Sequence, residues 1–285
     1  MTARKDADTL TLVERVRSLT TSGRFGLPPL PEIAQRLLEL LQNENSADPR
    51  GVAELIQNDP ALASSVLRLA NSASFGGLRA VQDLSESVAR LGLRQITSLV
   101  TVSVQRDQFV SSDPRRAELL HRLWDQSIAT AVAARQLAVR AGEERTEAFL
   151  AGLLHDSGCL LVLKAVDELE REGEAPITTT TVDELFDALH TELGERVLRE
   201  WRIPEPICVV ARRHHDPTDA ALDRLTLRVQ AADAIARKIG LHLHPEPDLD
   251  LTLVPAVDHC GLDELELAEL LVDIEDEVQQ VKTLF

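Results

Sequence analysis

The sequence predicts an all-α fold, and three observations carry that prediction. Apolar residues recur at helical spacing through almost all of the 285 residues. Asp-Pro pairs stand at the heads of such stripes, where the carboxylate can cap and the proline's missing N–H costs nothing. The one run that reads as a strand, Val100 to Val104, has helix-spaced neighbours and no hairpin partner.

Residues 1–24 are expected to form an N-terminal helical extension. Ile33, Leu37, Leu38 and Leu41 then make a stripe opened by Pro31. Asp48-Pro49 and Asp59-Pro60 head the next two, through Val52, Leu55 and Ile56 and through Leu62, Val66 and Leu69. Ser85 opens a short helix that Gly92 can close in a left-handed cap, and Ile96, Leu99 and Val100 continue beyond it. The polar break Ser111-Ser112-Asp113-Pro114 separates a subdomain over 25–112 from one over 113–285, and it is too short for a flexible linker. A long helix then runs to Gly142. Phe149 to Leu163 reads as one buried helix, and Val182 to Trp201, Pro204 to Arg213, Ala220 to Ile239 and Asp263 to Lys282 as four more. Leu241 to Asp258 reads as a loop. About ten to twelve helices result, in two halves expected to touch continuously, with no internal repeat.

Composition removes several functions. Thirty Lys and Arg stand against 47 Asp and Glu, a net charge of −17, which repels phosphate backbones and anionic lipid. Aromatics are 3% with no Tyr, too few for a base-stacking platform. No nucleic-acid or membrane partner is therefore expected. Cys159, Cys208 and Cys260 form no C-x-x-C pair and read as reduced thiols, so a cytoplasmic location is expected. Neither a signal-peptide run nor a stretch of about 18 apolar residues is evident.

Chemistry concentrates in Ala151-Gly152-Leu153-Leu154-His155-Asp156-Ser157-Gly158, where a His-Asp pair interrupts an apolar helix. Imidazole and carboxylate side by side suit a divalent metal, although both can also be core polars bonded to a helix end. His190, His214, His215 and Asp233 follow on or beside apolar faces. His214 and His215 can alternatively cap a helix C-terminus. The remaining histidines, His121, His242, His244 and His259, sit in polar contexts and read as solvated. The six residues His155, Asp156, His190, His214, His215 and Asp233 are expected to converge on one cavity.

This order of His-Asp, His, His-His and Asp resembles the HD-type metal phosphohydrolases and their diesterase branch. Two marks of that pattern are absent. Gln126 stands where the resemblance calls for a ligand histidine one helix earlier, and a neutral amide oxygen is a poor ligand for a transition metal. The Gly-Tyr-Pro element of the diesterases is missing as well. In the N-terminal half, Leu27-Pro28-Pro29-Leu30-Pro31-Glu32, Asn58-Asp59-Pro60, Arg68-Leu69-Ala70-Asn71-Ser72 with Phe75-Gly76, and Ala89-Arg90-Leu91-Gly92 resemble the HDOD domain. So do Trp201-Arg202-Ile203-Pro204 and the acidic last helix ending in Leu284-Phe285.

The HDOD resemblance implies an N-terminal helical bundle packed on an HD-like helical bundle. It further implies a non-catalytic regulatory module in bacterial signal transduction, with a protein partner or a small ligand such as a cyclic dinucleotide. The alternative is a metal-dependent phosphohydrolase or cyclic-dinucleotide phosphodiesterase. No cofactor is expected under the first reading, and a divalent metal under the second. Arg68, Asn71, Ser72 and Phe75 either lock the two subdomains or form a recognition surface, since Arg68 and Asn71 share a helix face. The chain carries no receiver, cyclase or kinase segment, so a free-standing output or adaptor is expected.

Overall fold

Side-chain pattern and capping residues together set the helix boundaries of this chain. The computed structural model describes residues 2–21, 30–42, 48–72, 79–111, 113–218 and 221–284. Leu27 to Pro29, Phe75, Gly76, Ser112, Ala220 and Phe285, quoted above, lie outside the described residues. Thirteen α-helices and no strand occur among the described residues. In the N-terminal half these are α1 (Thr2–Thr21), α2 (Glu32–Gln42), α3 (Pro49–Ile56), α4 (Pro60–Ala70) and α5 (Leu84–Arg106). They are followed by α6 (Pro114–Ala141), α7 (Arg145–Leu154), α8 (Ser157–Arg171), α9 (Thr179–Glu200) and α10 (Glu205–Arg213). The last three are α11 (Arg224–Lys238), α12 (Pro255–Asp258) and α13 (Glu264–Leu284).

Local chemistry starts and stops these helices. Asp48, Asp59 and Asp113 accept from the backbone N–H groups of Arg50, Leu62 and Arg115, satisfying donors that the first turn leaves free. Gly142 closes α6 at φ 68°, a left-handed position that glycine takes without strain. Arg202 takes the same kind of position at φ 58° after α9, where Ile203 N–H donates back to Leu198 O.

Four expectations are corrected. The helix expected from Ser85 is capped by Asp83, which accepts from Glu86 N–H. Gly92 does end one helical segment within α5 with a positive φ of 78°, as expected, but its ψ of 159° lies outside the left-handed cap geometry, so the two segments meet at a kink. The buried stretch from Phe149 to Leu163 is not one helix but breaks between α7 and α8 at His155-Asp156. The loop from Leu241 to Asp258 contains a short 3-10 turn, Leu251–Leu253, and α12. Arg145–Arg171 is long and apolar enough to cross a bilayer by length and composition, but 89% of its most apolar window is buried inside the protein.

One contiguous hydrophobic core runs through both halves. It includes Leu37, Ile56 and Ile96 on the N-terminal side and Leu123, Leu154 and Leu189 on the other. Each such side chain contributes about 1.5–3 kcal/mol by leaving water. Helices α2, α3 and α4 pack on α5, and α5 packs on α7. Gln105 of α5 donates to Ser157 at the head of α8, and Arg94 pairs with Glu144 at the head of α7. The two ends of the chain fold back. Helix α1 lies on α8 and α9, with Arg15 paired to Glu174 and Arg17 to Glu192. Helix α13 lies on α6 and reaches α4.

Candidate functional site

The break between α7 and α8 brings six helices, α6 to α11, to one place. His155 ends α7, and Asp156 opens α8 with no side-chain capping bond, so its carboxylate is left to project. Two glycines flanking the pair draw its neighbours in. A Cβ on Gly158 would lie 1.9 Å from His190 O and 2.7 Å from Gly194 N of α9. A Cβ on Gly152 would lie 2.7 Å from Thr130 O of α6. These close approaches carry Gln126 of α6 and His190 of α9 onto the His-Asp pair.

His190 and His214 present their rings in the same way. His190 Nδ1 lies 2.6 Å from Phe186 O, and His214 Nδ1 lies 3.2 Å from both Val210 O and Ala211 O. A carbonyl only accepts, so each Nδ1 carries a hydrogen, and in the neutral ring each Nε2 faces inward as a lone pair. The two Nε2 atoms are 3.3 Å apart, and Asp156 Oδ1 lies 3.6 Å from the first and 3.3 Å from the second. His215, on the turn after α10, places its ring centroid 4.1 Å from that of His214. One ligand atom from each of Asp156, His190, His214 and His215 falls within 4.8 Å of the others.

The other side of the cluster is built differently. Gln126 Nε2 donates to Asp156 Oδ2 at 2.5 Å, while its Oε1 accepts from Leu243 N–H at 3.0 Å. His155 Nδ1 is bonded to Gly152 O, and its Nε2 lies 3.2 Å from Asp156 Oδ2 and 3.8 Å from Asp233 Oδ1. Asp233 is further held by His242 Nε2 at 3.1 Å and faces Arg237 Nε at 3.5 Å. Both sides line one cavity of about 510 Å³.

Electrostatics follow this division. Burial opposes charge on His155, but Asp156 and then Asp233 outweigh it and raise its pKa to about 10. Burial would raise the Asp156 and Asp233 carboxyls. His155 outweighs it at the first, and His155 with His242 at the second, so both are held below the usual range. Burial pushes His190 down. His215 keeps part of its surface in water, yet the burial of its ring and the nearby His214 and His190 push it down to about 4. His190 and His215 are thereby favoured in the neutral form that binds metals.

All six residues expected to converge line or border this one cavity. His242, read above as solvated, is corrected: its side chain is 10% exposed and holds Asp233. The turn Gly240 to His244 begins seven residues after Asp233, and that short return is the signal the sequence offered. His121 is 65% exposed, as its polar context suggested. Asn71 and its neighbours serve elsewhere. Asn71 Nδ2 donates to Val81 O, and Asn71 Oδ1 accepts from Val81 N–H, both at 2.8 Å. Arg68 donates to Ser65 and Ser72 to Leu69 O, so this motif ties α4 to the lead-in of α5 inside the N-terminal half.

A helical protein with a His/Asp cluster at a helix break, built on an HD-like bundle, is the class this architecture defines. The HDOD domain profile matches residues 27–217, and the chain belongs to that family. An HDOD domain protein of unknown function from Geobacter sulfurreducens is 26% identical, with a TM-score of 0.73 over 96% of this chain and 98% of its own. A Shewanella amazonensis SB2B protein that carries a provisional metal-dependent phosphohydrolase name shares the fold. Its TM-score is 0.76 at 24% identity, covering 98% of this chain and 99% of its own. An uncharacterised protein of Treponema pallidum (strain Nichols) is 30% identical over 198 residues, 66% of this chain, and the chain spans 38% of that relative's length.

Proposed function

We propose that this chain is a non-catalytic regulatory module of bacterial signal transduction that works through a protein partner, with the His/Asp cavity as a site for a small ligand. The observation that carries this reading is the bond set of Gln126. Where the resemblance calls for a ligand imidazole, Gln126 donates to Asp156 Oδ2 and accepts from Leu243 N–H. Both polar ends of the side chain are thus taken up in tying α6 and the Gly240 to His244 turn to the pair. The net charge of −17 supports a protein partner over nucleic acid or membrane. Three free cysteines support a cytoplasmic setting.

One observation favours the phosphohydrolase reading. The buried Asp156 Oδ1 lacks a hydrogen-bond partner and faces two imidazole lone pairs, a donor set that fits a divalent ion. Asp156, His190, His214 and His215 would hold that ion, and it would supply Lewis acidity to a phosphate oxygen. The test is turnover of a generic phosphodiester and of a cyclic dinucleotide with added Mn²⁺ or Zn²⁺. The regulatory reading expects rates equal to those of a His155→Ala control. Metal-dependent turnover well above that control establishes the hydrolase instead.

A further inference from the structure

We infer that the outward face of α13, around Leu265 and Val272, is the docking surface for a short, basic, amphipathic helix of a partner protein. The inference rests on the regulatory reading only for what the partner is for, and its surface lies outside the His/Asp cavity. Helix α13 is apolar on two opposite faces. Leu267, Leu270, Ile274 and Val278 form the buried row, and the helix packs on α6. At about 100° per residue, Leu265 and Val272 fall within about 20° of each other on the side away from that row. They are 69% and 60% exposed, and Ala268, one turn after Leu265, is exposed as well.

A third side chain extends the patch onto α6. Arg135 pairs with Glu277 and Arg140 with Asp273, so α6 and α13 run antiparallel. Val139 precedes Arg140 and Val272 precedes Asp273, which puts the two valines at one level of the helix pair. Val139 is half exposed. Among the described residues five large apolar side chains are exposed, and three of them belong to this helix pair. Apolar residues scattered singly over a surface need no explanation, whereas a gathered set marks a contact.

Charge names the occupant. Asp273 and Glu277 are spent on α6, and Glu266 closes a capping box with Asp263. Glu264, Glu269, Glu275 and Asp276 have no ion-pair partner among the described residues, and they rim the apolar stripe on both sides. A second copy of this chain would set the same acidic rim against itself, on a molecule of net charge −17. A helix with apolar residues at helical spacing and Lys or Arg beside them matches both the stripe and the rim. Three apolar side chains are too few for a permanent interface and suit a transient one. Near the far end of α13, Lys282 pairs with Asp125, the neighbour of Gln126. A partner docked on α13 thus sits on the helix that braces the cavity wall.

The test uses the full chain and a fluorescein-labelled helical peptide with Leu at helical spacing flanked by Lys. Its controls are a scrambled peptide of the same composition and a peptide with the same leucines flanked by Glu. Anisotropy is expected to show saturable binding of the first peptide alone. Leu265→Ser combined with Val272→Ser should weaken it about tenfold or more, and Glu269→Lys combined with Asp276→Lys should do the same. Leu253→Ser, at an apolar residue just as exposed but on another element, should leave it unchanged. If the double serine variant does not fold by circular dichroism, Val272→Ser alone carries the measurement. Equal binding of the scrambled peptide, or undiminished binding by the serine variant, overturns the inference. So does a dimer in sedimentation that Val272→Ser disperses, because a second copy then covers this face. Either result leaves the regulatory reading standing on Gln126, whereas phosphodiester turnover would overturn that reading and leave the surface in place.

Discussion

At Asn71 in the N-terminal half and at Asp156 in the C-terminal half, a polar side chain closes the gap between consecutive helices. Asn71 directs its donors and its acceptor to backbone groups of its own half, Leu67 O, Val81 O and Val81 N–H. Asp156 makes no capping bond, gives one oxygen to Gln126 and leaves the other facing two imidazole lone pairs. Both motifs look alike in sequence, as polar residues where an apolar helix falters. The difference lies in what remains after the backbone is satisfied. At Asn71 the named groups are all matched within the chain, and at Asp156 the remainder has the form of a binding site.

The sharpest way to break this contrast is Gly158→Ala. The added methyl would overlap His190 O and Gly194 N, so α8 and α9 must separate. We expect a loss of about 3 kcal/mol or more in chemical denaturation, together with loss of Zn²⁺ binding.

A pH titration of metal-free protein comes next. The pKa of His155 rises on folding from 6.5 to about 10, so its contribution is complete below the unfolded value and is lost as pH climbs towards 10. Unfolding free energy should fall across that window, and His155→Gln should flatten the slope. A parallel slope in the variant would place the charge elsewhere.

Asn71→Ala should cost about 1–2 kcal/mol by leaving Val81 N–H and O without their partner. Zn²⁺ affinity should be unchanged, and a coupled loss would mean that the two motifs are not independent. The smallest effect is expected at Arg202, whose φ of 58° favours glycine. Arg202→Gly should stabilise the chain by about 0.5 kcal/mol, set by relieved strain less the added freedom of the unfolded chain, and thermal denaturation resolves its sign.

What the sequence reveals of this fold is what depends on neighbours along the chain. Asp48, Asp59 and Asp113 are legible as caps because the group they bond lies two or three residues away. Gly142 is legible for the same reason. The break at His155 is not, because apolar spacing continues across it from Leu154 to Leu160. Nor is the role of Gly152 and Gly158, since a missing side chain contributes nothing to a hydrophobic pattern, and the contacts that require it come from α6 and α9. The ligand types were legible as residues ill suited to an apolar face. Their sorting into a lone-pair side and a hydrogen-bonded side depends on which ring nitrogen meets a carbonyl, and sequence does not encode that directly. For His242 the sequence offered only the short return of the Gly240 to His244 turn after Asp233, which its polar surroundings outweighed.

The return of both chain ends onto the fold sets where this protein can be cut. The segment matching the HDOD family ends at residue 217, which leaves α11, Asp233, His242 and α13 beyond it. A fragment trimmed to that segment would open the cavity along a whole wall. It would also strip α1 from α8 and α9, uncovering the surface that Leu12 and Val16 now seal. Grafted into a longer polypeptide, the unit that can travel intact runs from α1 through α13. In such a fusion the incoming and outgoing joints attach at α1, against α8 and α9, and at α13, against α6. A neighbouring domain pulling on either joint would therefore load the helices that carry the cluster.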